Sequence, residues 1–161
     1  MAGKNLLIVI GLVLLPLALS AQEKPVIVVH SFTVASDAAW PYDAKQMQTQ
    51  TVAELTAKLG KDFQVATEVP PAPHGKVYIL NGEVTGWRPG NAAKRKLVGL
   101  GSGRESADIH YWVTDESGEK VVQQKDTIRT EYYAKYDGSV GQLAHPFADK
   151  IAGRIKDAKL K

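Results

Sequence analysis

Apolar and polar side chains alternate most cleanly from Ala107 to Thr114, where Ala107, Ile109, Tyr111 and Val113 hold one phase and Asp108, His110, Trp112 and Thr114 the other. A period of two marks a strand with one buried face. Glu116 to Lys120 reads as a turn and Val121 to Ile128 as a returning strand, so the pair predicts a hairpin. Upstream, Val77 to Trp87 predicts a strand with Val77 and Ile79 on one face and Tyr78, Leu80 and Val84 on the other. Pro25 to Val34, rich in Val and Ile with no helical spacing, predicts a central strand covered on both faces. Phe63 to Thr67 predicts a short one.

Two stretches change period. From Asp43 to Leu59, Ala44, Met47, Thr51, Val52, Leu55 and Leu59 recur at three- and four-residue spacing, Asp43 can cap with Gln46 three residues on, and Gly60 stands where a helix stops. From about Pro146 to Lys159, Phe147, Ala148, Ile151, Ile155 and Ala158 form an apolar stripe, with Pro146 suited to the first helical position. The prolines between Pro70 and Pro73 forbid regular structure there. The order β-α-β-β-β-β-α implies an α/β (α+β) domain, a mixed sheet of four to five strands with two helices packed on it.

The amino terminus follows another pattern. Lys4 precedes an apolar run from Leu6 to Leu19, with the small residues Ala18, Ser20 and Ala21 about its end. That is the three-part form of a secretory signal, with cleavage expected after Ser20 or Ala21. The run is too short for a membrane span and contains Gly11 and Pro16, so no stable transmembrane anchor is expected. The expected product is exported, periplasmic or secreted, with a single domain from residue 22 to 161.

Composition narrows the chemistry. Cysteine is absent from the 161 residues, which excludes disulfides, thiolate metal sites and lipid attached to an amino-terminal cysteine. The formal charge of +3 includes Lys4, so the exported chain is nearly balanced and nucleic acid is not an expected partner. Basic residues do cluster, at Lys94, Arg95, Lys96 and Arg104 and again at Lys150, Arg154, Lys156, Lys159 and Lys161. Solvated surface explains them, with anionic lipid or glycan contact as the alternative.

No catalytic or cofactor motif stands out. Gly99-Leu100-Gly101-Ser102-Gly103 lacks the dinucleotide spacing and precedes a strand, and no Gly-Lys-Ser/Thr of a P-loop exists. The glycines fit a bent hairpin tip. His30, His74, His110 and His145 share no ligand spacing, although Asp108 and His110 project from one strand face and could form an acid/base pair. No cofactor, metal or catalytic residue is therefore expected. Trp40, Trp87, Trp112, Tyr132, Tyr133 and Tyr136 would stack on sugars if they shared an exposed face, which keeps a cell-wall glycan or peptidoglycan module as the alternative function.

The runs Leu80-Asn81-Gly82-Glu83-Val84, Pro89-Gly90-Asn91-Ala92-Ala93-Lys94-Arg95 and Leu97-Val98-Gly99-Leu100-Gly101-Ser102-Gly103, followed by an alternating strand and Asp115-Glu116-Ser117-Gly118-Glu119, resemble a bacterial exported family, domain of unknown function 4410. That family is in turn distantly similar to the curli-secretion channel family and the TolB amino-terminal domain. The resemblance implies an α/β envelope unit without catalytic residues.

The leading expectation is a non-catalytic interaction protein of an envelope assembly. Its contact is expected on the long connection between strands, at Arg88, Asn91, Lys94, Arg95, Lys96, Leu97, Val98, Gly99, Leu100, Gly101, Gly103 and Arg104. Connections of about twenty residues with no structure of their own tend to be functional or disordered. Leu97, Val98 and Leu100 rimmed by basic residues suit self-association or an envelope partner.

Overall fold

The computed structural model describes residues 23–71, 75–91, 103–131 and 139–160. In chain order the elements are β1 (Val26–Val29), β2 (Thr33–Val34), α1 (Ala44–Leu59), β3 (Gln64–Ala66), β4 (Val77–Arg88), β5 (Ser106–Thr114), β6 (Lys120–Arg129) and α2 (Gly141–Asp157). They make a mixed α/β domain with one six-stranded sheet, ordered β3-β1-β4-β5-β6, with β2 paired to β4 beyond the end of β1. β1 runs parallel to β3 and β4, whereas β4, β5 and β6 form an antiparallel meander.

The alternating phases of the sequence set the two faces. Ile27, Tyr78, Leu80, Val84, Ile109, Tyr111, Val113 and Ile128 belong to one continuous core with Met47, Leu55 and Leu59 of α1 and Leu143, Phe147, Ile151 and Ile155 of α2. Both helices thus cover the same side of the sheet. On the opposite side Val26, Val28 and Val77 form a small apolar group with Ile79, so β1 is buried on both faces, as its unbroken run of Val and Ile implies. Asp43 caps α1, its side chain accepting from the Lys45 amide at 2.7 Å.

Two expectations are corrected. Pro25 to Val34 is not one strand: pairing breaks after Val29, and β2 resumes against Glu83 and Val84. The break lets Phe32 turn into the core, where it meets Phe147 edge-on at 5.4 Å and lies flush on Gly82. A Cβ at Gly82 would fall 2.3 Å from the Phe32 ring, so only glycine admits that crossing. This split supplies a strand beyond the four or five expected.

The closing helix begins at Gly141, which leaves Pro146 inside it. An interior proline removes a helical hydrogen bond and costs about 3 kcal/mol in an exposed helix. Here Leu143 and Ala144, fully buried ahead of it, extend the stripe of Phe147, Ala148 and Ile151 and offset that cost.

Candidate functional site

The twelve residues expected to form the contact divide in two. Lys94, Arg95, Lys96, Leu97, Val98, Gly99, Leu100 and Gly101 lie outside the described residues, whereas Arg88, Asn91, Gly103 and Arg104 form the base of the connection. There the Asn91 amide donates to the Gly103 carbonyl at 2.7 Å, and Gly103 takes φ 75°, a left-handed conformation that suits glycine. Arg88 pairs with Asp108 across the strands at 2.6 Å. Arg104 donates through Nη1 to the Thr130 carbonyl at 3.2 Å, and the Thr130 amide donates to the Glu105 carbonyl at 3.0 Å.

Beneath this base Glu105 is fully buried. Its Oε1 accepts from the Tyr42 hydroxyl at 2.6 Å and from Trp87 Nε1 at 2.7 Å, which ties the start of β5 to the end of β4 and to the segment before α1. Trp40 packs edge-on against Tyr42 at 5.1 Å. Among the described residues, Glu105 Oε2, Arg104 Nε, Thr130 Oγ1 and Trp40 Nε1 are buried without a hydrogen-bond partner. Unpaired buried polar atoms are uncommon, and four of them gather beside this one connection.

Glu105 was not among the expected residues, yet its signal is in the sequence. The phase that buries Ala107, Ile109, Tyr111 and Val113 extends backward to position 105, which places a carboxyl on the core face. Asp126 is a second case. It lies in phase with Val122 and Ile128, accepts from the Tyr111 hydroxyl at 2.9 Å and meets Lys150 at 3.4 Å. Burial, reinforced by that hydrogen bond to Asp126, raises the Tyr111 hydroxyl above the ordinary tyrosine range.

Asp108 and His110 do share the sheet face away from the helices, as the alternation requires. Asp108 is already engaged: Thr127 donates to it at 2.6 Å and Arg88 at 2.6 Å, and these partners, Thr127 foremost, hold its carboxyl below the usual range against the opposing effect of burial. A carboxylate so stabilised is a poor general base. His110 pairs with Gln123 at 3.2 Å and leans on the Trp112 ring at 5.1 Å, over which Lys120 sits at 5.2 Å.

Among the described residues, the three tryptophans do not share one exposed face. Trp112 lies on the outer face, whereas Trp87 pairs with Ala107 in the core-facing phase and Trp40 packs against the same core. Tyr132, Tyr133 and Tyr136 lie outside the described residues, as does His74. His30 meets Asn81 at 3.0 Å, and His145 meets Glu54 at 2.6 Å. Among the described residues, no group of three or more His, Asp or Glu side chains could hold a metal ion, and no helix is long and apolar enough to cross a membrane.

Comparison with known proteins places the fold. A family model described as Domain of unknown function (DUF4410) matches residues 29–133. Among solved structures, the chain is similar to PelC from Paraburkholderia phytofirmans, solved as a dodecamer, with 17% identity, a TM-score of 0.53 and coverage of 83% of this chain and 89% of that one. It is also similar to a hypothetical protein of Chlamydia trachomatis (10% identity, TM-score 0.53, 84% and 97% covered) and to a DUF330 protein of Xanthomonas campestris (10%, 0.51, 85% and 85%). At such identities the likeness is one of fold. No curated protein matches the chain.

Proposed function

The chain belongs to the DUF4410 family, and from that premise we propose that it is an exported, non-catalytic interaction module that joins an envelope assembly, by self-association or through an envelope protein, with its Arg88–Arg104 segment. What supports this most is the anchored base of that segment. A loose connection needs no buried acid at its base, yet here Glu105, Tyr42, Trp87, Arg104 and Thr130 are linked into one scaffold beside the joined Asn91 and Gly103. Contacts presented from a fixed base lose less conformational entropy on binding.

Leu97, Val98 and Leu100 supply the apolar part of the contact. Covering each is worth about 1.5–3 kcal/mol when burial is complete, and Lys94, Arg95, Lys96 and Arg104 supply a basic rim. PelC, similar in fold, is a dodecamer, which supports a second copy of this chain as the first partner to test. Residues 1–21 serve as the export signal, on the charged, apolar and small-residue pattern of that segment.

The test replaces Leu97 and Leu100 with Ser and compares cross-linked species by size, together with thermal melting. Smaller assemblies at unchanged melting temperature support the proposal. Unaltered assemblies at unaltered stability contradict it, and a fall in stability would mean that the segment packs on its own domain.

A further inference from the structure

The opposite end of the molecule carries a second surface. β4 runs from Val77 to Arg88, about 36 Å at the rise of an extended strand, so the segment before Val77 lies far from the Arg88–Arg104 base. At that far end an open cleft of about 740 Å³ sits below the starts of β1, β3 and β4 and beside the carboxyl ends of α1 and α2. Its floor is apolar, made of Pro25, Phe63, Ile155 and Leu160. Phe63 and Ile155 are nearly fully buried, and Leu160 packs against the main core.

Its rim is basic. Lys24, Lys61, Lys76, Lys156 and Lys159 border the cleft, against two acids, Glu23 and Asp62. All five lysines are exposed, and among the described residues none of them forms an ion pair with a carboxylate, those pairs being made by Lys58, Arg88, His145 and Lys150. Lys24 alone is spoken for, donating to the Gly60 carbonyl at 2.9 Å.

Lysines at helix ends have an ordinary role, since each helix presents about half a negative charge at its carboxyl end. Two helices end here, α1 before Lys61 and α2 after Lys156. Five lysines less two acids leave three positive charges, of which the two helix ends offset about one. An excess of about two remains among the residues lining the cleft, while Asp115 and Glu116 line a smaller hollow beyond Lys76 and Leu160. The chain also sets Lys159 at φ 52°, just past the end of α2, a left-handed position where glycine is the cheaper residue. That turn sends Leu160 back onto the core and keeps an ammonium group at the rim.

We propose that this cleft binds an anionic amphiphile, one phosphate or carboxylate head among the lysines with a short apolar chain laid on the part-exposed Pro25 and Leu160, above the buried Phe63 and Ile155. Bound charge relieves the mutual repulsion of the ammonium groups, and the chain covers the part of Pro25 and Leu160 that water otherwise wets. A free alkyl phosphate and the phosphate headgroup of a membrane lipid offer the same chemistry.

The test titrates monomeric octyl phosphate into the protein while amide shifts are followed by NMR, beside inorganic phosphate and a Lys76→Glu, Lys156→Glu variant whose melting is checked first. Both substituted side chains are exposed, so the fold should persist. Saturable binding with shifts centred on Lys61, Phe63 and Lys156 is expected, about tenfold weaker for inorganic phosphate and about tenfold weaker in the variant. Sedimentation with phosphatidylglycerol vesicles then separates the sources: co-sedimentation lost in the variant assigns a lipid headgroup, and none assigns a free amphiphile. Absence of saturable octyl phosphate binding, equal binding by the variant, or equal binding of inorganic phosphate would overturn the proposal. Because the Leu97→Ser, Leu100→Ser protein keeps the cleft, its binding of octyl phosphate should be unchanged.

Discussion

Replacing Glu105 with Leu tests the anchored base by removing an acceptor while keeping a side chain of similar length. In the native protein Glu105 Oε1 serves two donors, the Tyr42 hydroxyl at 2.6 Å and Trp87 Nε1 at 2.7 Å. Leucine takes this acceptor from both, and losing the acceptor of a buried donor costs about 1–3 kcal/mol. Tyr42 and Trp87 are only half-buried, so water reaches them in part and the lower end applies, about 2–3 kcal/mol in total. Glutamine retains an acceptor at the same place, and because Oε2 has no partner its replacement by an amide breaks no further bond. Glu105→Gln should therefore cost less than about half as much as Glu105→Leu.

Urea unfolding at neutral pH reads both, provided the slope with denaturant is unchanged so that the midpoint reports stability. Hydrogen exchange adds a local reading. The Asn91 amide, bonded to Gly103 just above this cluster, should lose protection in the Leu variant before the helices do. Equal costs for Gln and Leu, or a cost below about 0.5 kcal/mol for Leu, would refute the view that these two hydrogen bonds hold the base.

Other outcomes follow from particular contacts. Gly82→Ala should destabilise by about 1–3 kcal/mol through overlap with the Phe32 ring, with part of the loss recovered by adding Phe32→Leu, as read by thermal melting. Asp108 has its carboxyl lowered in the folded state, chiefly by Thr127, so its stabilising contribution is present above the unfolded carboxylate value and is lost as pH falls through the lower folded one. Stability measured below pH of about 4 should accordingly fall less steeply in Asp108→Asn than in the native protein, and identical slopes would exclude this contribution. Mass spectrometry of the protein from fractionated cells should find a chain beginning at Ala21 or Gln22, whereas intact Met1 in the cytoplasm would contradict export.

The elements that sequence made legible are those in which one period dominates. The two phases of β5 reappear residue for residue, and the stripe of α1 reappears at Met47, Thr51, Leu55 and Leu59, because each follows from which face is buried. The start of α2 was hidden because a local rule about proline pointed to Pro146, while tertiary burial of Leu143 and Ala144 decided the matter. The split between β1 and β2 depends on Phe32 meeting Gly82, a contact across 50 positions that no local pattern encodes. Glu105 stands between these cases. Its phase was visible, but its partners Tyr42 and Trp87 come from other segments, and the lysine cleft likewise gathers residues from both ends of the described chain.

The central claim, that the Arg88–Arg104 segment is a contact surface held on a fixed base, meets its most direct test in a photoreactive amino acid placed at Leu97. Isotopically light and heavy copies of the protein are mixed, irradiated with and without cell-envelope extract, and the cross-linked peptides identified by mass. Cross-links from position 97 to a second copy, or to another envelope protein, are the predicted result. Cross-links confined to the same chain would contradict it.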